Sequence, residues 1–485
     1  MLEALKHEAN LTCTENGAKA YRSTNSACLD LFAVCGALRH ADDKEICRRF
    51  IRAFAEDPDT AMRILFYARD VRGGLGERRV FNVIIRHLAD HSPESVRRNL
   101  PLIAEYGRFD DILSLLGTRC EGSLIKYIQN QLRTDLKAMQ EGESVSLMAK
   151  WLPSVNTSSH HTREQAKKLC RLLGMREKEY RKTISSLRAY IGIVEDSLRC
   201  RDYSFDYAAL PGKALLQYRH AFRRNDTKRY EKYLEDVRNH TKTMHTATLY
   251  PYEIVRRVMY EYDPDVIQSM DTMWNALPDY TDTRNALAVI DGSGSMYVKY
   301  DKHIMPITIA LSLGIYFAER NQGHFANHFI TFSRSPQLVK IHGDNIAEKV
   351  DYCTTYNEVA NTDLYKVFVL ILNAAVKNNL PQSELPELLY IISDMEFDTG
   401  VEPDKTVFED AKELYESYGY KLPQVVYWNV SARNEQQPVR MHENGAALVS
   451  GASPALFSQM MTQDVTPFSM MEMVLSSERY CHICA

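Results

Sequence analysis

Asp291, Ser293 and Ser295 stand at alternate positions, separated by Gly292 and Gly294, directly after the apolar run 286–290. A tight turn allowed by the two glycines would aim one carboxylate and two hydroxyls at a single point. Oxygens of this kind suit a hard divalent cation such as Mg²⁺, which prefers an octahedron of oxygens and keeps some of its water. Further oxygens are expected from neighbouring loops: the apolar run 388–393 leads into Asp394, and Thr362 stands just before a helical stretch. The alternative for Asp291 is a helix N-cap, and for the serines a polar turn. Glu396 and Asp398 read either as exposed acids or as supports behind the cluster.

Strands must carry these loops. After about residue 284, short runs rich in β-formers (286–290, 328–332, 388–393, 424–430 and 446–450) alternate with helical stretches near 304–320, 363–378, 403–418 and 454–462. That rhythm predicts a mainly parallel, doubly wound sheet covered on both faces, with ligands beyond the carboxyl ends of the strands. From about 27 to 270 the pattern is instead that of successive amphipathic helices. Ala61, Ile64, Leu65 and Ala68 repeat at helical spacing, and so do Phe81, Ile84, Ile85 and Leu88. Short turn-rich connections suggest antiparallel pairs packed in series, compatible with a HEAT-like solenoid, although no exact repeat is visible. The fold class is therefore α + α/β, with 1–280 helical and 281–485 α/β. Each part has enough apolar residues for its own core, so 281–485 is expected to fold alone.

Composition bounds the partners. With 485 residues, 45% of them hydrophobic, the chain can bury a large core. No signal peptide or membrane span is read, which implies a cytoplasmic protein with no membrane partner. Ten cysteines lack framework spacing and read as reduced thiols; only Cys481 and Cys484 have the spacing of a metal-ligand pair, and two ligands are half of what zinc needs. Residues 1–290 carry 45 Lys and Arg against 39 Asp and Glu, whereas the remaining 195 carry 14 against 24. Segment 151–250 alone holds 20 basic and 11 acidic side chains, so the two halves should meet different partners.

Within that basic segment, Arg163, Lys167 and Arg171 stack at i, i+4, i+8, with Lys168 beside them. Arg219, Arg223 and Arg224 follow, interleaved with Tyr218, Phe222 and Tyr230. Cations for phosphates and aromatics for unstacked bases are what single-stranded RNA binding uses, while the alternative is a solvated helix face with its aromatics in the core. Arg72, Arg78 and Arg79 surround the glycine turn 73–76, which suits either an anion or a helix end; Arg69 and Asp70 read as ties between this turn and its neighbours. Asp110 and Asp111 read as first-turn acids of a helix. No P-loop, H-E-x-x-H or G-x-S-x-G motif occurs, and no acids can be given paired catalytic roles, so the chain is not read as an enzyme.

Two resemblances add to this reading. The series Asp291, Ser293, Ser295, Thr362, Asp394 resembles the metal-ion-dependent adhesion site of von Willebrand factor A domains, Asp-x-Ser-x-Ser followed by a Thr and an Asp in later loops. The resemblance implies that the three hydroxyls ligate a divalent cation and the two carboxylates bind it directly or through water. Thr354 and Thr355 lie close enough to compete for the threonine role. The stretches YARDVRGGLGERRVF (67–81), YGRFDDILSLL (106–116), AKWLPS (149–154) and YRKTISSLRAYIGIVEDSL (180–198) resemble a family of unknown function that joins a helical region to an A domain. That family in turn resembles the Ro ribonucleoproteins, whose TROVE module is a ring of HEAT-like helices closed by an A domain and which bind small noncoding RNAs. The implied function is binding of noncoding or single-stranded RNA by the helical half. The alternative is a metal-dependent scaffold that captures an acidic residue of a protein partner.

Overall fold

The computed structural model describes residues 1–485 except 2–4, 6–7, 300–303, 333–334, 357–361, 401, 403 and 460–464. A small hairpin comes first, β1 (Leu11–Cys13) antiparallel to β2 (Lys19–Tyr21). Helices then follow from Ala27–Phe32 to Pro264–Asn275. Their starts carry the signals that fix a helix N-terminus. Asp57, for example, accepts from the Asp59 and Thr60 N–H groups and Pro58 occupies the first turn, so the helix Pro58–Arg69 begins there.

The α/β half contains β3 (Ala286–Asp291), β4 (His328–Phe332), β5 (Leu338–Lys340), β6 (Leu388–Ser393), β7 (Gln424–Asn429) and β8 (Ala446–Ser450). They form one sheet in the order β5-β4-β3-β6-β7-β8, parallel except for β5 at the edge. Every residue of β3 and β6 is buried, as central parallel strands covered on both faces require. Connections run outward from β3 to β4 on one side and return to β6 on the other, which makes the β3/β6 boundary the topological switch point. Register sets Ile290 beside Ile392, so Asp291 and Asp394 leave the sheet at the same end.

The helix Pro306–Arg320 joins β3 to β4 and is buried along nearly its whole length. It lies on β3 and also against Pro251–Val258 of the helical half. Gly314 permits this approach to the sheet, since a Cβ there would fall 2.2 Å from Ile290 Cδ1. Of the helical stretches read from the sequence, residue 403 and residues 460–462 lie outside the described residues.

The two halves share backbone as well as side chains. Tyr21 N–H donates to Gln437 O (2.9 Å) and Gln437 N–H returns to Tyr21 O (2.7 Å), while Met441 N–H donates to Thr24 O (3.0 Å). Gly36 sits so close to β8 that a Cβ would meet Ser450 O at 2.5 Å. In the opposite direction, residues 479–485 lie on the helical half. Arg479 Nη2 reaches Asp70 Oδ1 at 2.6 Å, Tyr480 donates its hydroxyl proton to Asp70 Oδ2 (2.8 Å), and Asn99 Nδ2 donates to Cys484 O (2.7 Å). The expectation that 281–485 folds alone therefore meets a packing in which 14–37 cover its surface. Periodicity reports which face of an element is apolar, not which distant backbone edge covers it.

No helix among the described residues is long and apolar enough to cross a membrane. All ten cysteines are free, and Cys481 and Cys484 belong to no cluster of three or more metal-ligating side chains among the described residues.

Candidate cation site and basic groove

At the carboxyl end of β3, the Asp291 carboxylate is fully buried. It accepts from the Ser293 N–H at Oδ1 (2.8 Å) and from the Ser393 hydroxyl at Oδ2 (2.5 Å). The Ser293 and Ser295 hydroxyls lie 3.0 Å apart, Ser293 buried and Ser295 half-buried. The turn Gly294–Tyr297 follows, so the expected convergence of Asp291, Ser293 and Ser295 is present. Asp394 is buried beside them. Its Oδ1 accepts from the Glu396 N–H (3.3 Å), and its Oδ2 has no hydrogen bond although Arg433 Nη2 lies 3.1 Å away. Met395 between them adopts a left-handed backbone (φ 69°), an uncommon conformation outside glycine that turns the loop back on Asp394. Burial, and then the nearby charge of Asp394, push the Asp291 carboxyl up to about 7.

Thr362 is also buried, and its hydroxyl donates to Glu396 O (2.6 Å), with Asp398 Oδ1 at 3.0 Å. It is thus tied to the loop that follows Asp394, and it makes no hydrogen bond to Asp291, Ser293, Ser295 or Asp394 among the described residues. Thr354 and Thr355, the competing threonines, turn their hydroxyls back to Asp351 O and Tyr352 O of their own helical segment. Glu396 is no exposed acid: its carboxylate is buried and accepts from Glu15 N–H, Asn434 and Gln436. Two carboxylates with hydroxyls form a donor set for a hard cation, in which hydroxyls and water must supply what a third carboxylate would elsewhere.

A second feature lies in the helical half. Asp111, fully buried, accepts from Arg69 (2.7 Å) and Arg78 (2.7 Å), while Asp110 accepts from Arg78 (2.5 Å) and Arg108 (2.9 Å). Gly107 allows this, since a Cβ would lie 2.5 Å from Asp111 Oδ2. Arg108 in turn covers one face of Trp151, its guanidinium carbon 4.2 Å from the ring centroid. The Trp151 turn is held by Arg188, which donates to Ala149 O, Leu152 O and Ser154 Oγ, and by the Tyr180 hydroxyl on Pro153 O. The stretches 67–81, 106–116, 149–154 and 180–198 thus meet at one place. Above it opens a groove of about 760 Å³ whose lining includes Arg78, Arg86, Trp151, His161, Lys168 and Arg171. Arg78 is committed to its aspartates and Lys168 to Glu121 (2.9 Å). Among the described residues Arg86 makes only a long contact to Ser114 O (3.4 Å), and exposed Arg171 makes no hydrogen bond or ion pair with its side chain.

The basic residues expected from the sequence divide accordingly. Lys168 and Arg171 line the groove; Arg163 bonds Thr157 O and Lys167 pairs with Glu164 on the neighbouring face of the same helix, His160–Leu173. Arg219 and Arg223 require a correction. Arg219 is buried, bonded to Leu216 O and paired with Glu261, and Arg223 pairs with Asp265 (2.5 Å). Phe222 and Tyr230 are in the core, so only Arg224 of this trio is exposed and no stacking platform forms there. Sequence reasoning missed Ser393, Arg433, Arg86, Trp151 and His161. The available signals were Ser393 adjoining Asp394 and Trp151 inside one of the motif stretches.

Fold and site define a protein in which a helical half and a mainly parallel α/β half share one hydrophobic core, with a buried carboxylate–hydroxyl cluster at the switch point. The chain belongs to the family described as a domain of unknown function (DUF2828), whose model matches residues 14–129 and 125–286. A second domain of unknown function (DUF7788) matches 285–478. An uncharacterized protein of Acanthamoeba polyphaga mimivirus is 28% identical over 515 residues, covering 96% of this chain and 87% of the relative. Among solved structures, the crystal structure of the Deinococcus radiodurans Ro (RSR) protein is similar over 92% of each chain, with 14% identity and a TM-score of 0.41.

Proposed function

We propose that this chain is a non-enzymatic, cytoplasmic RNA-binding protein of Ro-like type, in which a HEAT-like helical half takes single-stranded or noncoding RNA. The observation that carries this reading is the groove with Trp151 in its wall and two cations, Arg86 and Arg171, that form no ion pair among the described residues, although Glu164 of the lining lies within electrostatic reach of Arg171. Phosphates need uncommitted cations, and an unpaired base needs an aromatic surface; the groove offers both within one concavity. Purified protein is expected to carry RNA, seen as a raised 260/280 nm absorbance ratio and identified by sequencing. Protein free of RNA that also fails to retain a mixed single-stranded pool at low salt counts against the reading.

The α/β half is proposed to be a von Willebrand factor A-type domain holding Mg²⁺ or another divalent cation through Asp291, Ser293, Ser295, Thr362 and Asp394. The unfavourable pairing of two buried carboxylates supports this fit, with Asp394 Oδ2 held by an ion pair to Arg433 and by no hydrogen bond. Bound there, a cation would neutralise both acids and present a positive centre to an anionic group. Calorimetry is expected to show Mn²⁺ or Mg²⁺ binding that Asp291→Ala abolishes, and identical traces for the two proteins would remove the assignment.

The scaffold reading keeps one observation of its own. Arg433 holds Asp394 with one nitrogen and Glu15 with another (2.9 Å), so an acid from a distant segment already reaches the edge of the cluster. On that reading D291A, rather than changes in the groove, eliminates capture of an acidic protein partner.

A further inference from the structure

We propose that Asn16 is a positioning residue of the cation site and that the hairpin tip between β1 and β2 docks in concert with the cation. This rests on the cation reading of Asp291, Ser293, Ser295, Thr362 and Asp394. The Asn16 amide donates to Thr362 Oγ1 (2.8 Å) and to Glu396 O (2.7 Å), and Thr362 gives its own proton to Glu396 O, which closes a triangle. A threonine hydroxyl has one proton and two acceptor lone pairs. The proton lies between Glu396 O and Asp398 Oδ1 (3.0 Å) and Asn16 fills one lone pair, so these three neighbours together set the direction of the lone pair offered to a ligand beside the Asp398 carboxylate. Remove Asn16 and the hydroxyl keeps its chemistry but loses that orientation.

The rest of the tip is fastened to the same loop. Thr14 Oγ1 donates to Phe397 O (2.6 Å), Glu15 N–H donates to Glu396 Oε2 (2.8 Å), and Gly17 forms a bridge with Asp398. Gly17 has φ +92°, and a Cβ there would lie 2.9 Å from Thr399 Oγ1, so the close approach needs glycine. Asp398 N–H returns to Thr362 O (2.9 Å). Loop 394–398 therefore takes its shape partly from residues 14–17, nearly 400 positions earlier in the chain. The hairpin, with strands of three residues each, is too small to persist by itself, so its order depends on this docking together with the backbone pairing of Tyr21 and Gln437. A cation that fixes Thr362 and Asp394 must then favour the docked hairpin, and the docked hairpin must favour the cation by the same factor.

The test combines Mn²⁺ calorimetry with hydrogen exchange on the full chain, as wild type, Asn16→Ala and Asn16→Gln. Asn16→Ala is expected to weaken Mn²⁺ roughly tenfold, the effect of one orienting hydrogen bond to a ligand. Asn16→Gln, which keeps the amide, should recover part of the loss. In the wild type, saturating Mn²⁺ should slow exchange across 11–21, and D291A should remove that protection. If the wild type binds Mn²⁺ and D291A does not, yet Asn16→Ala binds as the wild type does or more tightly, or exchange at 11–21 is indifferent to Mn²⁺, the coupling is refuted while the cation site stands. If the wild type binds neither Mn²⁺ nor Mg²⁺, the cation reading itself fails and this inference falls with it.

Discussion

Replacing Arg86 and Arg171 together with alanine should change how RNA affinity depends on salt, and by an amount the structure fixes. Arg78 and Lys168 already face carboxylates, which leaves Arg86 and Arg171 as the groove cations with no ion pair among the described residues. Each phosphate they neutralise contributes about 0.7 to the slope of log K against log salt for a single strand, so the double variant should be flatter by about 1.4. Between about 50 and 200 mM salt the wild type should then lose about sevenfold more affinity than the variant. Trp151→Ala should act differently. One ring face is taken by Arg108 and Lys150 Nζ lies 5.6 Å from the ring centroid, so at most a single base can stack, which predicts a loss of about 5- to 10-fold with the salt slope unchanged. Arg163→Ala supplies the control, since Arg163 lies outside the groove on the same helix and bonds Thr157 O, whereas Lys167 pairs with Glu164 of the groove lining. Filter binding of a mixed single-stranded RNA pool over a salt series reads all three. A double variant with the wild-type slope, or a control as damaging as the double variant, would show that RNA is not bound in the groove.

Asp70→Asn tests the clasp of residues 479–485. Burial alone would raise the Asp70 carboxyl, but Arg479, the Arg72 N–H and Tyr480 together hold it below the ordinary carboxylate range. A group depressed on folding stabilises above its unfolded pKa, near 4, and loses that contribution as pH falls below it. Because Arg479 is a third exposed and can rehydrate, the variant should lose roughly 2 to 3 kcal/mol, or about 2 to 3 °C in Tm for a chain of this length. Scanning calorimetry should find that difference at pH 7 and little of it near pH 3; an equal difference at both would refute the argument. The fragment 281–485 should unfold without cooperativity in urea, since Gln437, Met441 and Ser450 lose their partners in 21–36, and a sharp transition at wild-type denaturant concentration would contradict it.

Much of the α/β half was legible because buried parallel strands write themselves as short apolar runs, and the five read from the sequence match β3, β4, β6, β7 and β8 closely. Asp291 and Asp394 were legible for the same reason: each follows such a run. The edge strand β5 was not, since three residues with an exposed Leu338 carry too little pattern. Arg219 shows a different failure. It lies at i+4 from Leu215 and three residues before Phe222, so it sits on the buried stripe of its own helix, and its charge drew attention away from its position. The groove could not be read from any one segment, because four stretches spread between residues 78 and 171 build it together. Asn16 was illegible altogether, as a polar residue in a turn acquires meaning only from the loop it touches.

The fastening of residues 14–37 onto 397–451 has a consequence for synthesis. At about 5 to 20 residues per second, the roughly 400 residues between these partners occupy the ribosome for some 20 to 80 seconds. Throughout that interval the backbone edge of β2 that will meet Gln437, and the face around Gly36 that will meet β8, have emerged without their complements. An unpaired edge of this kind invites association with other nascent chains. The first 37 residues are therefore where a holding chaperone would be needed, and where deletions should lower both the yield in the cell and the midpoint of unfolding in the tube.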